Sequence, residues 1–221
     1  YKAGCISCHG PDGTGQSPNL QGFQRPDTFP DFTDCPTATP EPEVQWRAIV
    51  TNGGPARAFS EIMPSFKDQL TPDQINKVVA YLRHFCADDD KWPRGDLNLP
   101  RAMITEKAFP ENETVVTGQA NLHGAPGVGT AVVYEKRVGA RGQIEAAVPY
   151  NYTHDTSWHS GFGDVLIGYK YNFLHSLKTG SILSVLGEVT APTGDSVKGT
   201  GGGSTVFELS TAYGQILPKD Y

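Results

Sequence analysis

The sequence predicts two domains: an all-α unit over residues 1–90 and a run of antiparallel β-strands over 114–221, joined by a linker over 91–113. Three observations carry this. Between Thr71 and Cys86, apolar residues recur at helical spacing behind a complete helix-start signal. Beyond residue 114 helical punctuation disappears and apolar and polar residues alternate with a period of two. Between them, Asp88-Asp89-Asp90-Lys91-Trp92-Pro93-Arg94-Gly95 and Asn98-Leu99-Pro100-Arg101 are polar and broken by proline, as linkers are.

Size and charge narrow the function. At 221 residues the chain has room for two ordinary domains. Its formal net charge of −6 argues against a nucleic-acid surface, which would carry a basic stripe. No apolar run approaches the roughly 18 residues of a membrane helix, which leaves a β-barrel open because barrel strands carry no such run. No leader peptide is visible before Tyr1, and Gln215-Ile216-Leu217-Pro218-Lys219-Asp220-Tyr221 is an abrupt end. The expectation is a portion of a longer, exported protein.

The first ten residues set the chemistry. Cys5-Ile6-Ser7-Cys8-His9 has the C-x-x-C-H pattern of a c-type haem attachment site. Two thiols at this spacing can each form a thioether to one haem vinyl group, and the next residue offers an imidazole to the iron. A zinc site needs about four ligands, and no second C-x-x-C or C-x-x-H follows. A thioredoxin-like pair needs a βαβ context that is missing here. Gly10-Pro11-Asp12-Gly13-Thr14-Gly15 and Pro18-Asn19-Leu20 then read as a loop whose glycines let backbone pass close to a flat cofactor.

Residues 21–42 are turn-rich, with prolines at 26, 30, 36, 40 and 42. A helix follows with Glu43 in its first turn, Trp46, Ile49 and Val50 on one face, and Asn52-Gly53-Gly54-Pro55 as its stop. Met63 lies in a loop, held extended by Pro64, just ahead of the next helix. Its thioether is a suitable sixth ligand that raises the haem potential; the other reading is a gap-filling core methionine. Met103 lies past the domain end and His84 lies within the following helix, where a surface role is expected. That helix opens with Thr71-Pro72-Asp73-Gln74, a capping box with proline at the first position. Ile75, Val78, Val79, Leu82 and Phe85 form its apolar stripe, expected to pack on the haem-attachment helix. Arg83 and His84 suit the negative end of its dipole. Cys35 and Cys86 remain outside the haem motif; an oxidising compartment allows a bridge between them, the favoured reading, with two free thiols as the alternative.

Taken in order, Cys5-x-x-Cys8-His9-Gly10-x-Asp12-Gly13, Pro18-Asn19-Leu20, Met63-Pro64-x-Phe66, Leu70-Thr71 and Val79-x-Tyr81-Leu82-Arg83 resemble a class I monohaem cytochrome c over residues 1 to about 90. The resemblance implies one covalent haem c held through Cys5 and Cys8, with His9 and Met63 as axial ligands. It also implies the Pro18 carbonyl as partner of the proximal imidazole. The chain departs from the family in lacking the front of the first helix, attributed to truncation, and in its long insert around Cys35.

In the second half the clearest strand is Gly163–Phe173, with Val165, Ile167, Tyr169, Tyr171 and Phe173 on one face and Asp164, Leu166, Gly168, Lys170 and Asn172 on the other. Residues 143–150, 182–191 and 206–214 repeat the alternation, and weaker strands are expected near 114–121 and 129–138. A soluble sandwich also alternates. Strands of about nine to eleven residues, charged residues on the polar face and aromatics near strand ends favour a transmembrane barrel. The connections 122–128, 139–142, 151–162, 174–179 and 192–205 alternate between longer and shorter. In outer-membrane barrels short turns face the periplasm, so the haem domain is expected there. Six strands fall short of the eight a bacterial barrel needs, so the barrel is expected to be incomplete in this chain. His154 and His159 read as polar surface.

Gly161-Phe162-Gly163-Asp164-Val165, Gly168-Tyr169-Lys170-Tyr171 and Ala191-Pro192-Thr193-Gly194-Asp195 resemble a family of bacterial outer-membrane barrels related to proteins of aromatic-degradation operons. The likeness spans roughly 100–221 and implies a barrel fold. The whole reads as an electron carrier and not an enzyme, because a His/Met haem has no open iron position. The expected partners are a redox protein or an extracellular electron donor or acceptor and membrane lipid, with association of further copies of the chain left open and no nucleic acid. The alternatives are an outer-membrane transport porin with a haem sensor or docking domain, and a haem enzyme in which Met63 leaves the iron.

Overall fold

A computed structural model describes residues 1–15, 25–101, 105–121, 126–154 and 156–217. The chain divides into two compact units, Tyr1–Asn98 and Leu99–Tyr221. Among the described residues no helix is long and apolar enough to cross a membrane, which says nothing of strands.

The first unit holds four α-helices among its described residues: α1 (Ile6–His9), α2 (Cys35–Ala38), α3 (Glu43–Asn52) and α4 (Pro72–Arg83). The α4 start is as its sequence dictates. Thr71 Oγ1 accepts from Gln74 N at 3.3 Å while Gln74 Oε1 accepts from Thr71 N at 2.8 Å, closing the capping box. Its stripe packs chiefly on α3 rather than on the haem-attachment segment. Ile75, Val79 and Leu82 share a core with Trp46, Val50, Phe32 and Ala38. The reason is length, because α1 is one turn and cannot cover a stripe of three turns. Tyr1 covers the remainder, its ring 5.2 Å from Tyr81 and 5.4 Å from Phe85.

Arg83 also departs from expectation. It is buried, 4 % exposed, with its guanidinium 3.9 Å above the Trp46 ring. Nη1 donates to the Ala38 carbonyl at 2.9 Å and Nη2 to that of Glu41 at 2.6 Å. The end of α4 therefore grips the proline-rich insert instead of facing water. Burial, with Arg94 nearby, lowers its pKa to about 10. The Cys35–Cys86 disulfide ties the same insert to the same helix end.

Residues 91–97, read from sequence as the start of the linker, dock on that insert together with Asp89 and Asp90 as two short 3₁₀ turns, Asp89–Lys91 and Gly95–Leu97. Gly95 N donates to the Thr39 carbonyl at 2.8 Å, and Asp96 Oδ1 accepts from Glu43 N at 2.8 Å, at the start of α3. A Cβ on Gly95 would sit 1.8 Å from the Pro40 carbonyl oxygen, so only glycine fits. Leu97 is fully buried.

The second unit is one open antiparallel sheet. Its described strands are β1 (Glu113–Asn121), β2 (Gly127–Val138), β3 (Gly142–His154), β4 (Trp158–Phe162), β5 (Val165–Ser176), β6 (Ser181–Ala191) and β7 (Val206–Gln215). They run in the order β1-β2-β3-β5-β6-β7, with β4 also on β3. The start of β3 pairs β5 and its end pairs β4, so β4 and β5 form one long strand broken at Gly163-Asp164. The stretch 151–162, expected as a long loop, is thus mostly a tall hairpin. At the break, Asp164 accepts from Gly194 N at 2.9 Å and Gly202 N at 2.7 Å, drawing down the 192–205 loop.

The two faces of the sheet have an inverted arrangement, with buried polar side chains, and the apolar Ile182 and Leu186 among them, on one and exposed apolar side chains on the other. Gln143, Lys170 and Asn172 are at most 1 % exposed, whereas Ile167, Phe173, Phe207 and Leu209 are 57–82 % exposed. The alternation predicted the two faces, and the apolar one is outermost. Among the described residues, strands β1 and β7 are the edges of the sheet.

Candidate cofactor site

The residues of the haem motif come together because α1 is a helical turn. Cys8 N and His9 N both donate to the Cys5 carbonyl, at 3.2 and 2.9 Å. Positions i, i+3 and i+4 of a helix share a face, so Cys5, Cys8 and His9 point the same way. Both thiols are free and half-buried. Gly10 ends the turn with φ +76°, and Gly15 N returns to the His9 carbonyl at 3.0 Å. Tyr1 Oη donates to the Gly10 carbonyl, fastening the chain start across the turn. Burial raises the Tyr1 phenol to about 12, with smaller contributions from Cys5, Tyr81 and Asp12, and burial also raises the Cys5 thiol.

His9 lies between two aromatic rings, stacked on Phe29 at 5.0 Å and tilted against Phe32 at 5.2 Å. Its Nδ1 is buried and has no hydrogen-bond partner among the described residues. Burial alone lowers its pKa to about 4, which keeps the imidazole neutral. A neutral, half-buried imidazole beside two thiols on one turn is a donor set that fits a c-type haem. Pro18, the expected partner of that imidazole, lies outside the described residues, as does Met103.

Met63 stands on a separate loop stitched to the end of α3. Gly54 N donates to the Met63 carbonyl at 3.0 Å, Ser65 Oγ to the Thr51 carbonyl at 2.7 Å, and Phe66 N to that of Val50 at 3.1 Å. Gly53 at φ +84° is required there, because its Cβ would lie 2.9 Å from the Met63 carbonyl oxygen. The loop base meets the haem motif through Phe66, whose ring lies 3.4 Å from where a Cβ on Gly4 would be. His84 is exposed at the α4 C-cap, consistent with a surface role. The aromatic walls Phe29 and Phe32 were not identified from sequence; their only local signal is their place in the proline-rich stretch.

Residues 1–82 match a family model described as cytochrome C oxidase, cbb3-type, subunit III. The first unit therefore carries a c-type cytochrome domain, which implies covalently bound haem c, electron transfer and a redox partner. An antiparallel sheet follows it. No curated protein and no solved structure matches the chain.

Proposed function

We propose that this chain is a membrane-tethered electron carrier: one haem c, attached through Cys5 and Cys8 and ligated by His9 and Met63, in a periplasmic domain fused to an outer-membrane β-barrel. The haem supplies reversible one-electron iron chemistry. The residues do the rest. The α1 turn aims two thiols and an imidazole one way, Phe29 and Phe32 keep water from His9, and the Gly53-Gly54 stitching holds the Met63 backbone. If His9 and Met63 both held the iron, it would offer no open site to a substrate, so the reading is a carrier and not an enzyme.

The observation that carries the tether is the inverted sheet. Burying Lys170 and Gln143 while exposing Phe207 and Leu209 is unfavourable in water and favourable when the outer face meets lipid and the inner one a polar lumen. Open edges cannot stand in lipid, so closure takes further strands on β1 and β7, from more polypeptide or further copies.

The test uses whole cells and their outer membranes. The haem should sediment with the outer membrane, and the haem domain should resist protease added to intact cells while yielding to it after the outer membrane is opened. Cleavage on intact cells excludes the periplasmic placement, and a haem found only in the soluble fraction excludes the tether.

A further inference from the structure

We propose that residues 105–112 form a strap across the inner, polar face of the sheet that narrows the barrel lumen at its short-turn end. The inference rests on the barrel reading above. The strap is built in. Ala108, Phe109, Pro110 and Glu111 are all buried, with Phe109 2 % exposed. Side chains of the sheet hold its backbone, and it holds theirs. Ser184 Oγ on β6 donates to the Ala108 carbonyl, Gln143 Oε1 on β3 accepts from Glu111 N at 2.7 Å, and Asn112 Oδ1 accepts from Arg137 N on β2 at 2.9 Å. The Arg137 guanidinium lies 5.3 Å from the Phe109 ring, and Lys107 pairs with Glu111 at 2.6 Å.

The order of these partners gives the direction. Moving from Ala108 to Glu111 to Asn112, the strap passes from β6 over β5 to β3 and then β2. Two strand spacings are about 10 Å, and three extended residues cover about 10 Å. The strap therefore runs extended and crosswise before the chain turns into β1. It lies at the end bearing the short turns 139–141 and 177–180, not at the end bearing the 150–162 hairpin and the 192–205 loop. Beneath it, Gln143 Nε2 donates to Glu135 Oε1 at 2.7 Å, and Lys170 Nζ lies 3.4 Å from Gln143 Oε1 and 3.9 Å from Glu135 Oε1. The wall under the strap is thus hydrogen-bonded both to it and to itself.

The test is ion conductance of the full chain in planar lipid bilayers. Phe109→Gly with Ser184→Ala releases the strap, and Ala108→Cys with Ser184→Cys locks it down. The locked and unmodified proteins should conduct alike, and the released one several-fold more. Equal conductance of the released and locked proteins overturns the strap. If the released variant does not insert, Ser184→Ala alone replaces it: a raised conductance supports a seated strap, and conductance equal to that of the unmodified protein refutes one. Sedimentation of the chain away from the outer membrane refutes the barrel reading instead, and is read separately.

Discussion

At the scale of single residues, the proposed ligands His9 and Met63 would decide what the haem can do. Folding holds the His9 imidazole neutral down to about pH 4, where an exposed one protonates near 6.5. Above about pH 6.5 both folded and unfolded forms are neutral and His9 has no effect on stability. Between those values the unfolded chain takes up a proton that the folded chain refuses, so stability falls as pH falls. Neutral imidazole is also the form that binds iron, so the low-spin haem spectrum should persist from pH 7 to about pH 5. Loss of axial ligation near pH 6.5, followed by absorbance, would show that His9 is not sheltered. Replacing Met63→Ala should abolish the long-wavelength methionine–iron charge-transfer band and lower the midpoint potential in a redox titration, because a thioether favours reduced iron. An unchanged band and potential would assign the sixth position to another group. That Cys5, Cys8 and His9 share one helical turn was legible because they lie close together in sequence and the turn is local. Phe29 and Phe32 were not, because only the folded insert brings them to His9.

At the scale of elements, legibility followed how local each signal was. The α4 start is contained in Thr71-Pro72-Asp73-Gln74, and the strands in their period-two pattern, so both were readable. The extension of β3 to His154 was not, since Asn151-Tyr152-Thr153-His154 is polar on both faces and its partners, β2 on one side and β4 on the other, are brought to it only by the fold. Nor could alternation say which face is inside, because a soluble sandwich and a lipid-facing sheet share the pattern. Arg83 shows the same limit, as a cation in the last turn of a helix is ordinarily solvated and here two carbonyls and Trp46 enclose it. Arg83→Ala should destabilise the first unit by about 2–4 kcal/mol, because it strands two carbonyls and opens a cavity. Arg83→Lys should recover little, lacking the fork that reaches both. Thermal unfolding of the haem-loaded protein measures both; full stability in Arg83→Lys would reduce the contact to simple charge.

At the scale of the whole molecule, the two units differ in what stabilises them. The sheet relies on its ladder and inner polar network, and the haem domain on a small core closed by one covalent bridge. Cys35 and Cys86 are 51 residues apart, so the bridge restricts the unfolded chain by about 4 kcal/mol on chain-entropy grounds. Cys35→Ser with Cys86→Ser should lower the melting temperature of the haem domain accordingly, while the low-spin spectrum of the surviving folded protein stays the same; a lost spectrum at full stability would give the bridge a role in ligation. The same bridge has a consequence for how the protein is made. Cys35 and Cys86 need an oxidant, whereas under the proposed attachment Cys5 and Cys8 must arrive as thiols. Four cysteines allow three complete pairings, and each of them joins Cys5 and Cys8 either to one another or to the wrong partners. Capture of Cys5 and Cys8 by haem removes all three, after which Cys35 and Cys86 have only each other. Haem insertion before oxidation is therefore a maturation order in which no mispaired chain can form.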